Sequence, residues 1–281
     1  MPPAVETRNE TRPWALKILP PFPQVAVRLL DILSQEDAVI KQVVELVRMD
    51  PAFGAEILRL ANSAAYGFRS QIDSLGHAIV LLGTERVKAL TMTVAVGTYA
   101  KKAFKIDALK RCWHHSLAAA FLTEEMAAAC TINRDRAYTA GLLHDIGRLA
   151  LLVGYPVEYS HLITVANENS LDIIEVERSM FDLDHCEAGR WLAEDWKFPA
   201  ELLDIISQRP NGPIPQPLRL ASLAMLGCHL ADTLGFQAIK PLHPWTFEEL
   251  LHELPAAAQA GFPEQDKMAE NIQKRVAAVA T

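Results

Sequence analysis

The chain has 281 residues, half of them hydrophobic and 22% charged, with a formal net charge of −7. That is enough chain to bury a large core and enough apolar residues to fill it. Mild acidity argues against a general phosphate-binding face for DNA or RNA, and the charge is too modest for a solvating or disordered tail. Cys112, Cys130, Cys186 and Cys228 form no C-x-x-C pair and sit in apolar helix-like surroundings, as reduced core thiols of a cytoplasmic protein do. The opening MPPAVETRNETRP has no apolar signal core, and no uninterrupted apolar run is long enough to span a bilayer. Neither a nucleic acid nor a membrane is therefore expected as a partner.

Met1 to Pro13 is polar and reads as a loose lead-in. Leu19-Pro20-Pro21-Phe22-Pro23 is a stiff, extended entry, because each proline fixes its own φ and restricts the residue before it. Helical spacing follows over Val25–Leu33 and again over Ala38–Val47. Asp50-Pro51 starts the next helix: the aspartate can accept from orphan N–H groups, and proline loses nothing at the first helical position. This helix runs through Ile57, Leu58, Leu60 and Ala61 and stops near Asn62-Ser63, and Tyr66-Gly67 marks a loop. Ser74 caps a helix bearing Ala78, Ile79, Leu81 and Leu82, and Gly83-Thr84 ends it and opens another through Val96.

Leu109–Ala129 is predicted as a long helix with Trp113, Leu117, Ala120 and Phe121 on one stripe. It contains His114-His115, and periodicity does not choose which of the two points inward. Asn133 and Asp135 are candidate caps for the next segment. Residues 137–152, AYTAGLLHDIGRLALL, are apolar on almost every side, which predicts a single helix buried all round. His144 beside Asp145 is costly there unless something pairs with both. A metal ion is one common partner; bonds to neighbouring helices are the alternative.

Gly154-Tyr155-Pro156 reads as a turn, with helices after it over Glu158–Asn169 and Leu171–Arg178. Asp184-His185-Cys186-Glu187 looks like a capping box opening a helix that ends at Trp196. Phe198-Pro199 starts Glu201–Gln208, and the proline-rich Arg209–Pro217 is a loop. In the predicted helix Leu218–Gly235, Ala221, Met225, Cys228 and Asp232 share one face. Asp232 is thus a carboxylate on an apolar stripe that wants a cation. Glu248–Leu254 and Glu264–Ala278 are further helical pieces; the last is amphipathic and can pack on the body or on a second copy in a homodimer. No stretch alternates with period two for long, so the expected fold class is all-α.

One of His114/His115, with His144, Asp145 and Asp232, can be brought to one point by three helices. Two imidazoles and two carboxylates suit a single divalent ion such as Fe, Mn, Zn, Co or Ni. Such an ion makes a nucleophile of bound water, which is the chemistry of phosphate-ester hydrolysis.

The order H…HD…D resembles that of the HD phosphohydrolase superfamily. The narrower match lies in Leu19-Pro-Pro-Phe-Pro, Asp50-Pro51, Ile57-Leu-Arg-Leu-Ala-Asn-Ser63, Ala78-Ile79, Leu82-Gly83 and Trp113-His-His-Ser116. Together these resemble an HDOD domain, the HD-related output domain of bacterial signalling proteins, over about Leu19 to Gly212. The resemblance implies a two-lobed helical bundle with an HD-like C-terminal lobe. Its expected parts are a lead-in at 1–18, an N-terminal lobe at 19–108, the HD-like lobe at 109–235 and a helical extension at 236–281.

The resemblance also implies regulation through a signalling protein partner or a small-molecule signal, with no catalytic residue. By position, His115 rather than His114 matches the first metal ligand. His144 and Asp145 match the signature pair, and Asp232 the last aspartate. HD-GYP relatives add histidines for a second metal. His185 lies where one of these would be and is an extra candidate ligand, but Gln208-Arg209 replaces the later His-His pair. Arg148 stands where active relatives often carry a lysine near the substrate phosphate. The alternative expectation is a metal-dependent phosphohydrolase of a nucleotide or cyclic dinucleotide, with Asp145 and Arg148 in its catalytic machinery.

Overall fold

The computed structural model describes residues 12–34, 42–43, 45–46, 50–66, 71–101, 104–209, 213–259 and 261–280. Most of the lead-in, most of the helix expected over Ala38–Val47 and the Gly67 end of the Tyr66-Gly67 loop lie outside the described residues. Among the described residues every regular element is helical. A short turn, Trp14–Leu16, precedes α1 (Gln24–Ser34), α2 (Pro51–Ala61) and α3 (Leu75–Ala100). Then come α4 (Asp107–Ala129), α5 (Arg134–Leu143), α6 (Ile146–Gly154), α7 (Pro156–Asn169) and α8 (Ile173–Phe181). α9 (His185–Asp195), α10 (Ala200–Ile206) and α11 (Leu220–Ala231) lead to α12 (Phe247–His252), α13 (Ala256–Gln259) and α14 (Gln265–Val279).

The helix starts follow from the capping residues. Asp50 accepts from the Phe53 amide, Ser74 from the His77 amide, and Asn133 from the amides of Asp135 and Arg136. Asp184 and Glu187 form the expected capping box. Gly83, at φ +79°, separates the two helical runs of α3. Asp135 is no cap; its carboxylate pairs with Arg86 at 2.7 Å.

α4 is the central helix and packs against α5, α11 and α14. Two glycines let these helices come close. A Cβ at Gly141 would lie 2.6 Å from Thr123 Oγ1 and 2.7 Å from the Ala119 carbonyl; one at Gly227 would lie 2.2 Å from the same hydroxyl. His115 is two turns before Thr123, His144 follows Gly141 by three residues, and Cys228 follows Gly227. The close approach thus brings all three toward one another. α14 packs on the body through Met268, Ile272, Val276 and Val279. Its Arg275 reaches Glu124 at 2.5 Å and Glu125 at 2.9 Å and lies 4.0 Å over the Phe121 ring.

Two further expectations need correction. Residues 137–152 are not one continuous helix: α5 ends at Leu143 and α6 begins at Ile146, with Asp145 at φ −119°, ψ 27° between them. The reason lies in packing and pairing. Gly147 sits where a Cβ would meet the His185 carbonyl at 1.9 Å, so α6 is fixed by its contact with α9. Asp145 also spends its carboxylate on a buried partner rather than on capping α6. Leu218–Gly235 is not one regular helix either. α11 stops at Ala231, and a wider π-type turn, Asp232–Phe236, follows and closes at Gly235, whose φ is +89°.

Candidate functional site

The break after Leu143 sends His144 and Asp145 into two adjoining clusters. The first belongs to the histidines. His115 is buried, whereas His114 is exposed, so the inward member of the pair is His115. His115 Nε2 lies 3.2 Å from His144 Nε2 and 3.5 Å from Cys228 Sγ. His144 Nδ1 lies 2.7 Å from the Gly141 carbonyl, which can only accept. Nδ1 therefore carries the proton, and the Nε2 lone pair points at His115. On the far side of His115, Nδ1 lies 3.3 Å from Asp232 Oδ1 but is buried without a well-formed hydrogen bond.

Burial sets the charge here. It drives His115 well below the ordinary imidazole value, with His144 and Arg148 adding in the same direction, and it lowers His144 too. Both rings are neutral and ready to act as donors. Burial also pushes the Asp232 carboxyl up to about 7 and the Cys228 thiol well above its ordinary value.

The second cluster is a buried charged chain. Arg148 Nη1 donates to Asp145 Oδ2 at 2.6 Å, and Arg148 Nη2 lies 3.1 Å from His185 Nε2. His185 Nδ1 lies 2.6 Å from Glu177 Oε2, which also accepts from the His185 amide at 2.8 Å. Tyr159 donates its hydroxyl to Glu177 Oε1. Asp145, Arg148, Glu177 and His185 are all buried. Burial alone would lower the guanidinium's pKa, but Asp145, Tyr159 and Glu177 together outweigh it and hold Arg148 firmly charged. A buried carboxylate demands a positive partner, and for Asp145 that partner is Arg148.

The four expected ligands are therefore neighbours, but they do not converge on one point. Among the described residues, the group whose donor atoms all lie within 4.8 Å of one another is His115, His144 and Cys228. Asp145 faces Arg148, and Asp232 stands behind His115. His185 lies 3.8 Å from Asp145 Oδ1 and belongs to the arginine cluster. The donor chemistry of the first cluster fits a divalent ion, since two neutral imidazoles and a thiol surround a small space. Asp145 stands outside that group, with its Oδ2 on Arg148 Nη1 at 2.6 Å.

Two cavities open beside these clusters. One of about 40 Å³ touches His144, Asp145, Arg148, His185 and Cys228, with room for a water or an ion. The other, about 460 Å³, has His115, Arg148, Cys228 and Asp232 on its lining and runs out past Lys240 and Trp245.

Cys228 and Glu177 were missed as site residues in the sequence. Cys228 did lie on the same stripe as Asp232, but a buried thiol reads first as core. Glu177 had a signal as well: spaced from Ile173, Ile174 and Phe181 by four, three and four residues, it falls on the buried face of α8.

An all-helical body with an HD pair at a helix break, a histidine on the preceding helix and an aspartate closing a later one defines an HD-type domain. The chain belongs to the HDOD domain family, whose model matches residues 19–211. A candidate phosphohydrolase of Shewanella amazonensis SB2B is similar in structure, with a TM-score of 0.70 and 25% identity over 96% of this chain and 99% of that one. An HDOD domain protein of unknown function from Geobacter sulfurreducens shares the fold, with a TM-score of 0.68 and 24% identity over 93% and 92%. An uncharacterized protein of Treponema pallidum (strain Nichols) is 25% identical over 224 residues. That match takes in 76% of this chain but spans only 43% of the curated relative's length. Among the described residues no helix is long and apolar enough to cross a membrane.

Proposed function

We propose that this chain is a cytoplasmic regulatory HDOD module of bacterial signal transduction, which binds a signalling partner or a small signal and turns over no substrate. The observation that carries the reading is the 2.6 Å contact between Arg148 and Asp145. In a hydrolytic HD site the signature carboxylate is needed at the metal, and here a buried guanidinium takes it. The cavity of about 460 Å³ supports a small-molecule signal, being of the size that small ligands occupy. Its lining mixes Trp245 and apolar side chains with Lys240, Asp232 and Arg148, so it offers both contact area and orienting polar groups. The test is turnover of a panel of phosphomonoesters, nucleotides and cyclic dinucleotides by metal-supplemented protein. The reading requires no turnover that depends on Asp145. Hydrolysis that is lost in Asp145→Asn would overturn it.

The second reading is a metal-dependent phosphohydrolase. It is favoured by the facing histidines and by the similarity to the candidate phosphohydrolase of Shewanella amazonensis. A divalent ion would supply Lewis acidity and an activated nucleophile. Asp145-dependent hydrolysis in the same panel is the result this reading requires.

A further inference from the structure

We infer that the metal site of this chain is a thiolate site, built by His115, His144 and Cys228, with Asp232 orienting His115 from behind and Asp145 left out. Such a set differs in kind from the two-histidine, two-carboxylate arrangement that the sequence order implies. It does not rest on the regulatory reading, since a resident ion is compatible with either function.

The first argument is geometric. In a tetrahedral site with Zn–N near 2.05 Å and Zn–S near 2.3 Å, two nitrogen ligands lie about 3.3 Å apart and a nitrogen and a sulfur about 3.6 Å apart. The observed His115–His144 separation is 3.2 Å and the His115–Cys228 separation 3.5 Å. Two edges of the tetrahedron are thus already drawn, and all three donors lie within 4.8 Å of one another.

The second argument concerns protons. His144 must carry its proton on Nδ1, because its partner there is the Gly141 carbonyl. Its Nε2 lone pair therefore faces the other imidazole nitrogen at 3.2 Å, a gap that either a proton on His115 Nε2 or a cation fills. His115 Nδ1, buried and poorly bonded, stands 3.3 Å from the Asp232 carboxylate. A carboxylate against the outer nitrogen of a ligating histidine is the usual way to fix its tautomer and strengthen its donation. Asp232 occupies that place.

The third argument is exclusion. Arg148 holds Asp145 at 2.6 Å and is itself buried. Recruiting Asp145 to a metal would strand the guanidinium without its partner in a low-dielectric interior. Thiolate and imidazole donors select zinc-like ions, whereas magnesium and calcium need oxygen ligands. On binding, Cys228 gives up its S–H proton to solvent and the sulfur's electron pair goes to the ion.

The test uses full-length protein, stripped by chelator under reducing conditions and titrated with Co²⁺ alone. The expected result is one ion per chain, with a sulfur-to-cobalt charge-transfer band in the near ultraviolet. Cys228→Ser abolishes the band, and Asp145→Asn leaves it in place. Asp232→Asn weakens binding by about 10–100-fold, as loss of a supporting carboxylate does, and retains the band. Because a core variant can fail to fold, X-ray absorption on the zinc-loaded wild type serves as a second reading, and one sulfur at about 2.3 Å is expected. A bound ion with no sulfur ligand overturns the inference, and so does binding lost in Asp145→Asn or no binding at all. Phosphoester turnover decides the functional reading independently, so either conclusion can fail alone.

Discussion

Replacing Arg148 by methionine removes the guanidinium and keeps most of its volume. Arg148 and Asp145 have side chains only 9% and 6% exposed, so the carboxylate left behind has little access to water. Breaking a buried pair by deleting one partner costs about 3–5 kcal/mol. The guanidinium, 3.1 Å from His185, also opposes protonation of that imidazole, and removing it relieves this, which places the expectation in the lower half of that range. For a chain of this size the loss corresponds to a fall of roughly 10 °C in melting temperature. Asp145→Asn in the same background should recover part of it, because no charge is then stranded, with a coupling energy of about 2–3 kcal/mol. Urea unfolding of the wild type, both single variants and the double variant, all in chelator, gives the four free energies. If Arg148→Met loses less than about 1 kcal/mol, or the coupling is below about 0.5 kcal/mol, the pair does not do what its geometry implies.

Further outcomes follow from neighbouring residues. Burial lifts the Asp232 carboxyl to about 7, so between its unfolded value of 3.8 and pH 7 the folded state holds a proton that the unfolded state has released. Its contribution to stability is full below pH 3.8 and is lost as pH rises toward 7. With metal chelated, the stability of wild type minus Asp232→Asn should fall by about 2 kcal/mol from pH 5 to pH 7. Taking the difference removes the opposite slope from the buried neutral His115 and His144, and a flat or rising difference would refute the assignment. Gly147→Ala puts a methyl 1.9 Å from the His185 carbonyl oxygen, and backbone cannot step aside as a side chain can. Thermal unfolding should show a loss at or beyond the roughly 3 kcal/mol upper end of overpacking effects. Glu177→Gln keeps the shape but removes the charge that binds His185, and should cost about 1.5–3 kcal/mol in urea unfolding.

Much of the fold was legible because its signals are local. Asp50-Pro51, Ser74, Gly83 and the Asp184–Glu187 box each act within one turn of helix, and each does so as read. The continuous helix over 137–152 failed because the break at His144-Asp145 has no local sign. It is imposed by α9 packing onto Gly147 and by a carboxylate that prefers a guanidinium to a cap. The same holds for the end of α11, where apolar spacing continues past the point at which the backbone widens. In the site, His115 and His144 meet as the residue order suggested. The partner of Asp145 was not readable, since an arginine three residues on can as easily point to solvent. Cys228 was hidden by its chemistry, because a thiol on an apolar stripe gives the same pattern whether it is core or donor.

The most direct test is anomalous diffraction from crystals of the zinc-loaded protein. Expected is a metal peak within bonding distance of His115 Nε2, His144 Nε2 and Cys228 Sγ, with Asp145 still on Arg148 near the 2.6 Å seen here. A peak ligated by Asp145, with Arg148 swung away, would contradict both the thiolate site and the claim that this HD pair has given up its carboxylate.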